Sequence, residues 1–171
     1  MKIKENIISK IFEDPARRYY VRELAREAKV SPNSVINAVR GLEKEGIVRK
    51  EIKKHIAEIS ANLDSPFFIA RKRVYNLSKI YESGIIDFLV RIYHPKAIVL
   101  FGSYSRGDDV GKSDIDIALI TEKKEMANAS AFEKKLGRKI HLMLLQYERI
   151  PDELYVNLIN GIVIYGYLDR K

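Results

Sequence analysis

Cysteine is absent from the 171 residues, so neither disulfides nor thiolate metal sites are available. No apolar run approaches the roughly 20 residues that span a bilayer. The opening Met1-Lys2-Ile3-Lys4-Glu5 carries no secretory apolar core. Together these absences point to a cytoplasmic protein without membrane contact. Repeats, low-complexity stretches and Gly/Ser-rich linkers are missing as well. Any two domains are therefore expected to be joined stiffly, through ordered elements. What remains is ordinary globular material: 46% of residues are hydrophobic, in a chain long enough for one large domain or two small ones.

Charge is present in excess of one sign. The chain carries 31 Lys and Arg against 23 Asp and Glu, a formal charge of +8. Up to Asn62 there are 14 basic against 9 acidic residues, net +5; the remainder has 17 against 14, net +3. A basic first third on a nearly balanced remainder suggests that nucleic acid is met by the N-terminal part. A thermophile's charged surface would give the same excess without any such partner.

Ile3, Ile7, Ile8, Ile11 and Phe12 recur at helical spacing and predict an amphipathic first helix ending at Asp14-Pro15. Tyr20 to Ala28 predicts a second, with Leu24 and Ala28 inward. Lys29-Val30 makes the turn, and Ser31-Pro32 supplies an N-cap followed by proline at the first helical position. A third helix then runs to about Lys44, burying Val35, Val39 and Leu42. Gly46 stops it, and residues 47–52 and 55–59 read as two strands.

Three helices and a hairpin, with Leu24-Ala25 in the second helix and Leu42-Glu43-Lys44-Glu45-Gly46-Ile47-Val48 closing the third, resemble a winged helix-turn-helix domain over residues 1–62. The resemblance implies that the third helix enters the major groove of double-stranded DNA while the hairpin meets the backbone. Asn33, Ile36, Asn37 and Arg40 fall on the helix face expected to be exposed. Asn37 and Arg40 are the candidate base readers, because Asn matches adenine and Arg matches guanine through paired hydrogen bonds. Arg49, Lys50, Lys53, Lys54 and His55 are the candidate phosphate contacts. With no cysteine or second histidine nearby, His55 reads as a wing residue rather than a metal ligand. Such domains also serve protein–protein contact and often dimerise, so a homodimer is expected.

Asp64-Ser65-Pro66 is a helix-start signal. Phe67, Phe68, Ala70, Val74, Leu77, Ile80 and Tyr81 follow as a stripe, with Gly84 interrupting. Residues 63–82 thus form a connecting helix, its aromatic residues Phe67, Phe68, Tyr75 and Tyr81 expected in a core or interface. Ile85 to Tyr93 continues the period until Pro95.

Chemistry-bearing residues concentrate between Phe101 and Asp116. The apolar run Ala97-Ile98-Val99-Leu100-Phe101 has strand length and ends in Gly102-Ser103. A polar loop follows, and a second strand opens with Asp114-Ile115-Asp116 before Ile117-Ala118-Leu119-Ile120. Alternation along a strand points Asp114 and Asp116 the same way, roughly 7 Å apart. Two hard oxygen ligands at that spacing, opposite a turn with free backbone N–H groups, suit Mg²⁺ carrying a polyphosphate.

Gly-Ser, ten residues, then Asp-x-Asp between apolar residues resembles the minimal nucleotidyltransferases of the DNA polymerase β-like superfamily. The likeness covers roughly Tyr81 to Tyr167 and places that domain at residues 83–171. It implies an α+β protein overall: the winged helix-turn-helix, connecting helices, then a small mixed sheet with flanking helices. It also implies a nucleoside triphosphate, ATP in the first instance, at Gly102 and Ser103, with Arg106 neutralising phosphate or simply solvated. Asp114 and Asp116 would hold Mg²⁺, or Mn²⁺, as the catalytic pair. A short helix starting at the Gly-Ser turn would favour an anion at its N-terminus. Asp108 and Asp109 would lie in the mobile loop.

Active members commonly carry a third carboxylate one strand later. Here residues 138–145 supply that strand, and the position holds His141. Three readings stay open: a ligand for Mn²⁺ or a general base, a domain that keeps nucleotide binding without transfer, or a plain sheet histidine. The tail predicts helices at 126–136 and 151–160 and a last strand at 162–165. Function therefore divides between a DNA-binding nucleotidyltransferase of unassigned acceptor and a non-catalytic regulator that senses nucleotide or dimerises. A third possibility, by resemblance alone, is an antitoxin-like partner of a small helical RNase.

Overall fold

A computed structural model of the chain describes residues 2–53 and 56–169. The candidate phosphate contacts Lys54 and His55 lie outside the described residues. The fold is α+β and divides into two compact units, Met1–Lys72 and Arg73–Lys171. No helix among the described residues is long and apolar enough to cross a membrane.

In the first unit, α1 (Lys2–Glu13), α2 (Val21–Ala28) and α3 (Pro32–Lys44) stand with a three-stranded antiparallel sheet. Its strands β1 (Tyr19–Tyr20), β2 (Val48–Lys53) and β3 (Ile56–Ala61) take the order β1-β3-β2. The helical stripe of α1 is buried as its spacing requires: Ile7, Ile8, Ile11 and Phe12 lie inside, as do Leu24 of α2 and Val35, Val39 and Leu42 of α3. Ser31 caps α3 by accepting the Ser34 N–H at 3.2 Å, and Pro32 opens the helix. Tyr20 does not begin the second helix. Tyr19 and Tyr20 pair with Ile59 and Glu58 instead, because Tyr19 buries its ring and gives its hydroxyl proton to the Lys10 carbonyl at 2.7 Å.

Helix α4 (Pro66–Ser83) runs through the boundary between the units, and α5 (Ile85–Tyr93) follows after Gly84. The apolar stripe expected along α4 is only partly covered. Phe68 and Ile80 are buried, whereas Phe67, Val74 and Tyr81 are at least half exposed.

The second unit is a four-stranded mixed sheet in the order β6-β5-β4-β7. Its strands are β4 (Ala97–Phe101), β5 (Ile115–Ile120), β6 (Ile140–Leu145) and β7 (Ile162–Gly166). Strand β4 is buried on both faces along its whole length, which explains its unbroken apolar run. Ile98, Leu100, Ile115, Ile117 and Leu119 pack on one face with Ile85, Ile86, Leu89 and Tyr93 of α5. Ala97, Val99, Phe101, Ala118 and Ile120 pack on the other with Leu158 of α8 (Asp152–Ile159). Helix α6 (Gly102–Arg106) caps β4, and α7 (Ser130–Leu136) precedes β6. Helix α7 starts four residues later than its sequence suggests. The Tyr93 hydroxyl takes the Ala127 N–H at 2.6 Å and donates to the Glu125 carbonyl at 3.1 Å, which ties that stretch down before a helix can begin.

Candidate functional site

The site end of the second unit is set by register. Phe101 pairs with Asp116 across the antiparallel β4–β5 ladder, and Asp116 pairs with His141 across the parallel β5–β6 ladder. Paired residues point to one face, so Asp116 and His141 share the face of Phe101, Ala118 and Ile120, beyond the end of the apolar core. The His141 Nδ1 and Asp116 Oδ1 atoms lie 3.2 Å apart, with the histidine side chain 60% and the aspartate side chain 28% exposed. His141 is thus a rim residue in contact with the aspartate.

Gly102 faces the same carboxylate from the other side. A Cβ at Gly102 would collide with Asp116 Oδ2 and stand 3.3 Å from Asp116 Cγ. Its φ of +71° is also one that other residues adopt at a cost. The bare glycine therefore lets the Asp116 carboxylate lie directly against the turn. Ser103 follows at the start of α6, half-buried, and among the described residues its hydroxyl has no hydrogen-bond partner. Ser105 is turned inward and donates to the Gly102 carbonyl at 2.8 Å, fixing the turn from behind.

Asp114 is exposed and lies one residue ahead of β5, so the strand proper carries only the second acid. Arg106 does not reach toward Asp116; its Nε donates to Asp108 Oδ2 at 3.0 Å on the surface. The loop is not uniformly loose. Asp108 is exposed, but Asp109 is buried and ion-paired to Arg138 at 2.9 Å, which corrects the expectation of a mobile loop for that residue. At the entry to β6, Glu133 accepts the Ile140 N–H at 3.0 Å and Lys139 Nζ at 3.1 Å. Those two bonds hold its carboxyl below the ordinary glutamate range. Among the described residues, no group of three or more His, Asp and Glu gathers as for a metal ion.

In the first unit, Asn33, Asn37, Arg40 and Lys44 are exposed along α3 at helical spacing, with Ile36 half-buried beside them. On the hairpin, Lys53 and Arg49 are engaged within the fold. Lys53 Nζ lies 3.1 Å from Glu51 and 3.2 Å from Glu58, and Arg49 pairs with Asp64 at 2.7 Å. Arg18 completes a cluster on Glu58 at 3.0 Å. Hydrogen bonds to Glu51 and Glu58 raise the Lys53 pKa. Burial pushes Glu58 up, but the bonds from Lys53 and Arg18 outweigh it and leave its pKa lowered. Lys50 is half-buried.

The family model described as "Polymerase beta, Nucleotidyltransferase" matches residues 83–169, just over half of the chain. It covers β4 to β7 and every residue of the Gly102–Asp116–His141 rim. No curated protein and no solved structure matches the chain.

Proposed function

Because the chain belongs to the polymerase beta nucleotidyltransferase family, we propose that its second unit binds a nucleoside triphosphate, ATP first among them, as a Mg²⁺ complex, and that its first unit binds double-stranded DNA as a winged helix. The observation that carries the nucleotide reading is the close approach of the Asp116 carboxylate to the bare Gly102 turn, which a Cβ at position 102 would prevent. A phosphate brought to Asp116 by a cation would then meet the backbone N–H groups of the turn with no Cβ in the way.

The donor set fits one hard cation carrying a nucleotide. Mg²⁺ typically takes one or two carboxylates and completes its shell with phosphate oxygens and water. Asp116, with Asp114 just ahead of it, supplies those carboxylates, and Ser103 offers a free hydroxyl to a phosphate oxygen. When bound, the cation would neutralise the triphosphate and draw charge from its leaving oxygens. His141 occupies the position where a further carboxylate would serve a second metal, so nucleotide binding is the activity the residues support best.

Transfer is the second reading, and the His141–Asp116 contact favours it. An aspartate at Nδ1 fixes the imidazole's orientation and leaves Nε2 to take a proton from an acceptor hydroxyl. The proton would move to Nε2 as that hydroxyl attacks the α-phosphorus and pyrophosphate leaves. Incubation with α-labelled ATP and Mg²⁺ or Mn²⁺ separates the two readings. Label on the protein or an offered acceptor that vanishes in both Asp116→Asn and His141→Ala establishes transfer. Calorimetric binding of Mg²⁺·ATP without label transfer establishes binding alone. No binding by the wild type ends both.

DNA recognition is supported by the exposed α3 stripe more than by the hairpin, where Arg49 and Lys53 already have carboxylate partners. Arg40→Ala is expected to weaken duplex binding by about 1–3 kcal/mol and to relax preference at one base pair. Unchanged affinity in that variant would remove DNA from the account and leave protein contact as the use of this unit.

A further inference from the structure

The loop between α6 and β5 is held from within, by residues outside the glycine–aspartate rim. Asp109 is 2% exposed. Its Oδ1 accepts a hydrogen bond from Asn76 Nδ2 at 2.7 Å, and its Oδ2 lies 2.9 Å from Arg138 Nη2. The same Asn76 nitrogen donates to the Tyr104 carbonyl at 2.9 Å, so α6 and the loop are tied to one amide on α4. Arg138, with its side chain 7% exposed, donates from Nη1 to the carbonyls of Val110 at 2.5 Å and Ser113 at 3.0 Å. Its guanidinium carbon stands 5.5 Å from the centre of the Tyr104 ring. Within the loop, Val110 N–H donates to Ser113 Oγ at 3.0 Å and Ser113 N–H to the Val110 carbonyl at 2.9 Å.

One planar side chain thus reaches a carboxylate, two carbonyls and a ring. The second of those carbonyls belongs to the residue before Asp114. Burying an arginine–aspartate pair is a poor way to gain stability, since desolvation offsets most of the attraction. It is a good way to specify one arrangement, because a rigid fork fits several acceptors only when all are in place.

We propose that Arg138 and Asp109 are positioning residues for the nucleotide site. They fix residues 107–113 so that Asp114 meets a phosphate-bound Mg²⁺ in the same arrangement as Asp116. The inference rests on the reading that the Gly102–Asp116 rim takes Mg²⁺·nucleotide. The test uses the full chain with Arg138→Lys, which keeps the charge beside Asp109 and loses the fork. Three quantities are measured: affinity for Mg²⁺·ATP, affinity for ATP in EDTA, and hydrogen exchange at the Val110 and Ser113 amides. Exchange at both amides should rise, and Mg²⁺·ATP affinity should fall by about 10-fold to 100-fold, as for residues that orient metal ligands. Affinity for ATP in EDTA should not change. If Arg138→Lys does not fold, Asp109→Asn, which still accepts from Asn76, is put through the same measurements. A folded variant with unaltered Mg²⁺·ATP affinity overturns the proposal, and so does an equal loss with and without Mg²⁺. A wild type that binds no Mg²⁺·ATP, while its amides still respond to Arg138→Lys, overturns the nucleotide reading and reduces the clamp to a structural part.

Discussion

At Gly102 two demands coincide: a positive φ and a missing Cβ beside Asp116. Gly102→Ala meets both penalties. The backbone alone costs about 1–2 kcal/mol, and the collision must displace the Asp116 carboxylate. The expected result is a modest fall in melting temperature with loss of most Mg²⁺·ATP affinity, checked by calorimetry beside thermal denaturation. Asp109 behaves in the opposite way, since its removal damages the fold first. Asp109→Ala leaves the buried Arg138 guanidinium without its carboxylate, which costs about 3–5 kcal/mol, visible as a lower denaturant midpoint. The two variants thus separate a residue whose loss empties the site from one whose loss loosens its frame. Asp109 was beyond reach in the sequence because a carboxylate in a polar loop looks solvated. Its burial depends on Arg138 and Asn76, which are 29 and 33 positions away in the chain.

Among the elements, the hairpin of the first unit carries its own pH dependence. Glu58 has a lowered pKa in the fold, so the stability it lends is complete above the ordinary glutamate range and is lost as pH falls through the lowered value. Lys53 has a raised pKa, so its share is complete below the ordinary lysine range and is lost as pH rises through the raised value. Protection of the β2 and β3 amides, read as exchange relative to the intrinsic rate at each pH, should therefore be greatest across the neutral range and fall in acid, and Glu58→Gln should flatten the acid limb. Helix α3 was legible before any coordinates because Ser31-Pro32 and the Val35, Val39, Leu42 spacing are local signals. Strand β1 was not, because two tyrosines before a helix gain their strand character only from β3. The start of α7 was missed for a similar reason. The Tyr93 hydroxyl that ties down residues 125–127 lies more than thirty residues upstream.

For the molecule as a whole, the two proposed roles, duplex binding and nucleotide binding, fall on different units. Duplex binding should weaken linearly in log affinity against log salt, and Arg40→Ala should preserve that slope if the residue reads a base, or lower it by about one if it holds a phosphate. The glycine turn, the aspartates and the two strands that flank them could be anticipated because they form one contiguous stretch joined to apolar runs. The state of the hairpin cations could not, since ion pairing between β2 and β3 depends on which side chains face each other after the strands meet.

The parallel seam between β5 and β6 has one further consequence. Which side of the sheet a side chain occupies alternates residue by residue, so the imidazole reaches the aspartate only in one of two possible phases. Removing a single residue from the turn at 137–139 could be absorbed by a shift of β6 that keeps its strand paired. Leu142 would then stand opposite Asp116, and the rim would exchange an imidazole for an isobutyl group. Natural chains with a shortened turn here would carry an oily neighbour beside the aspartate, a difference that can be looked for by length alone.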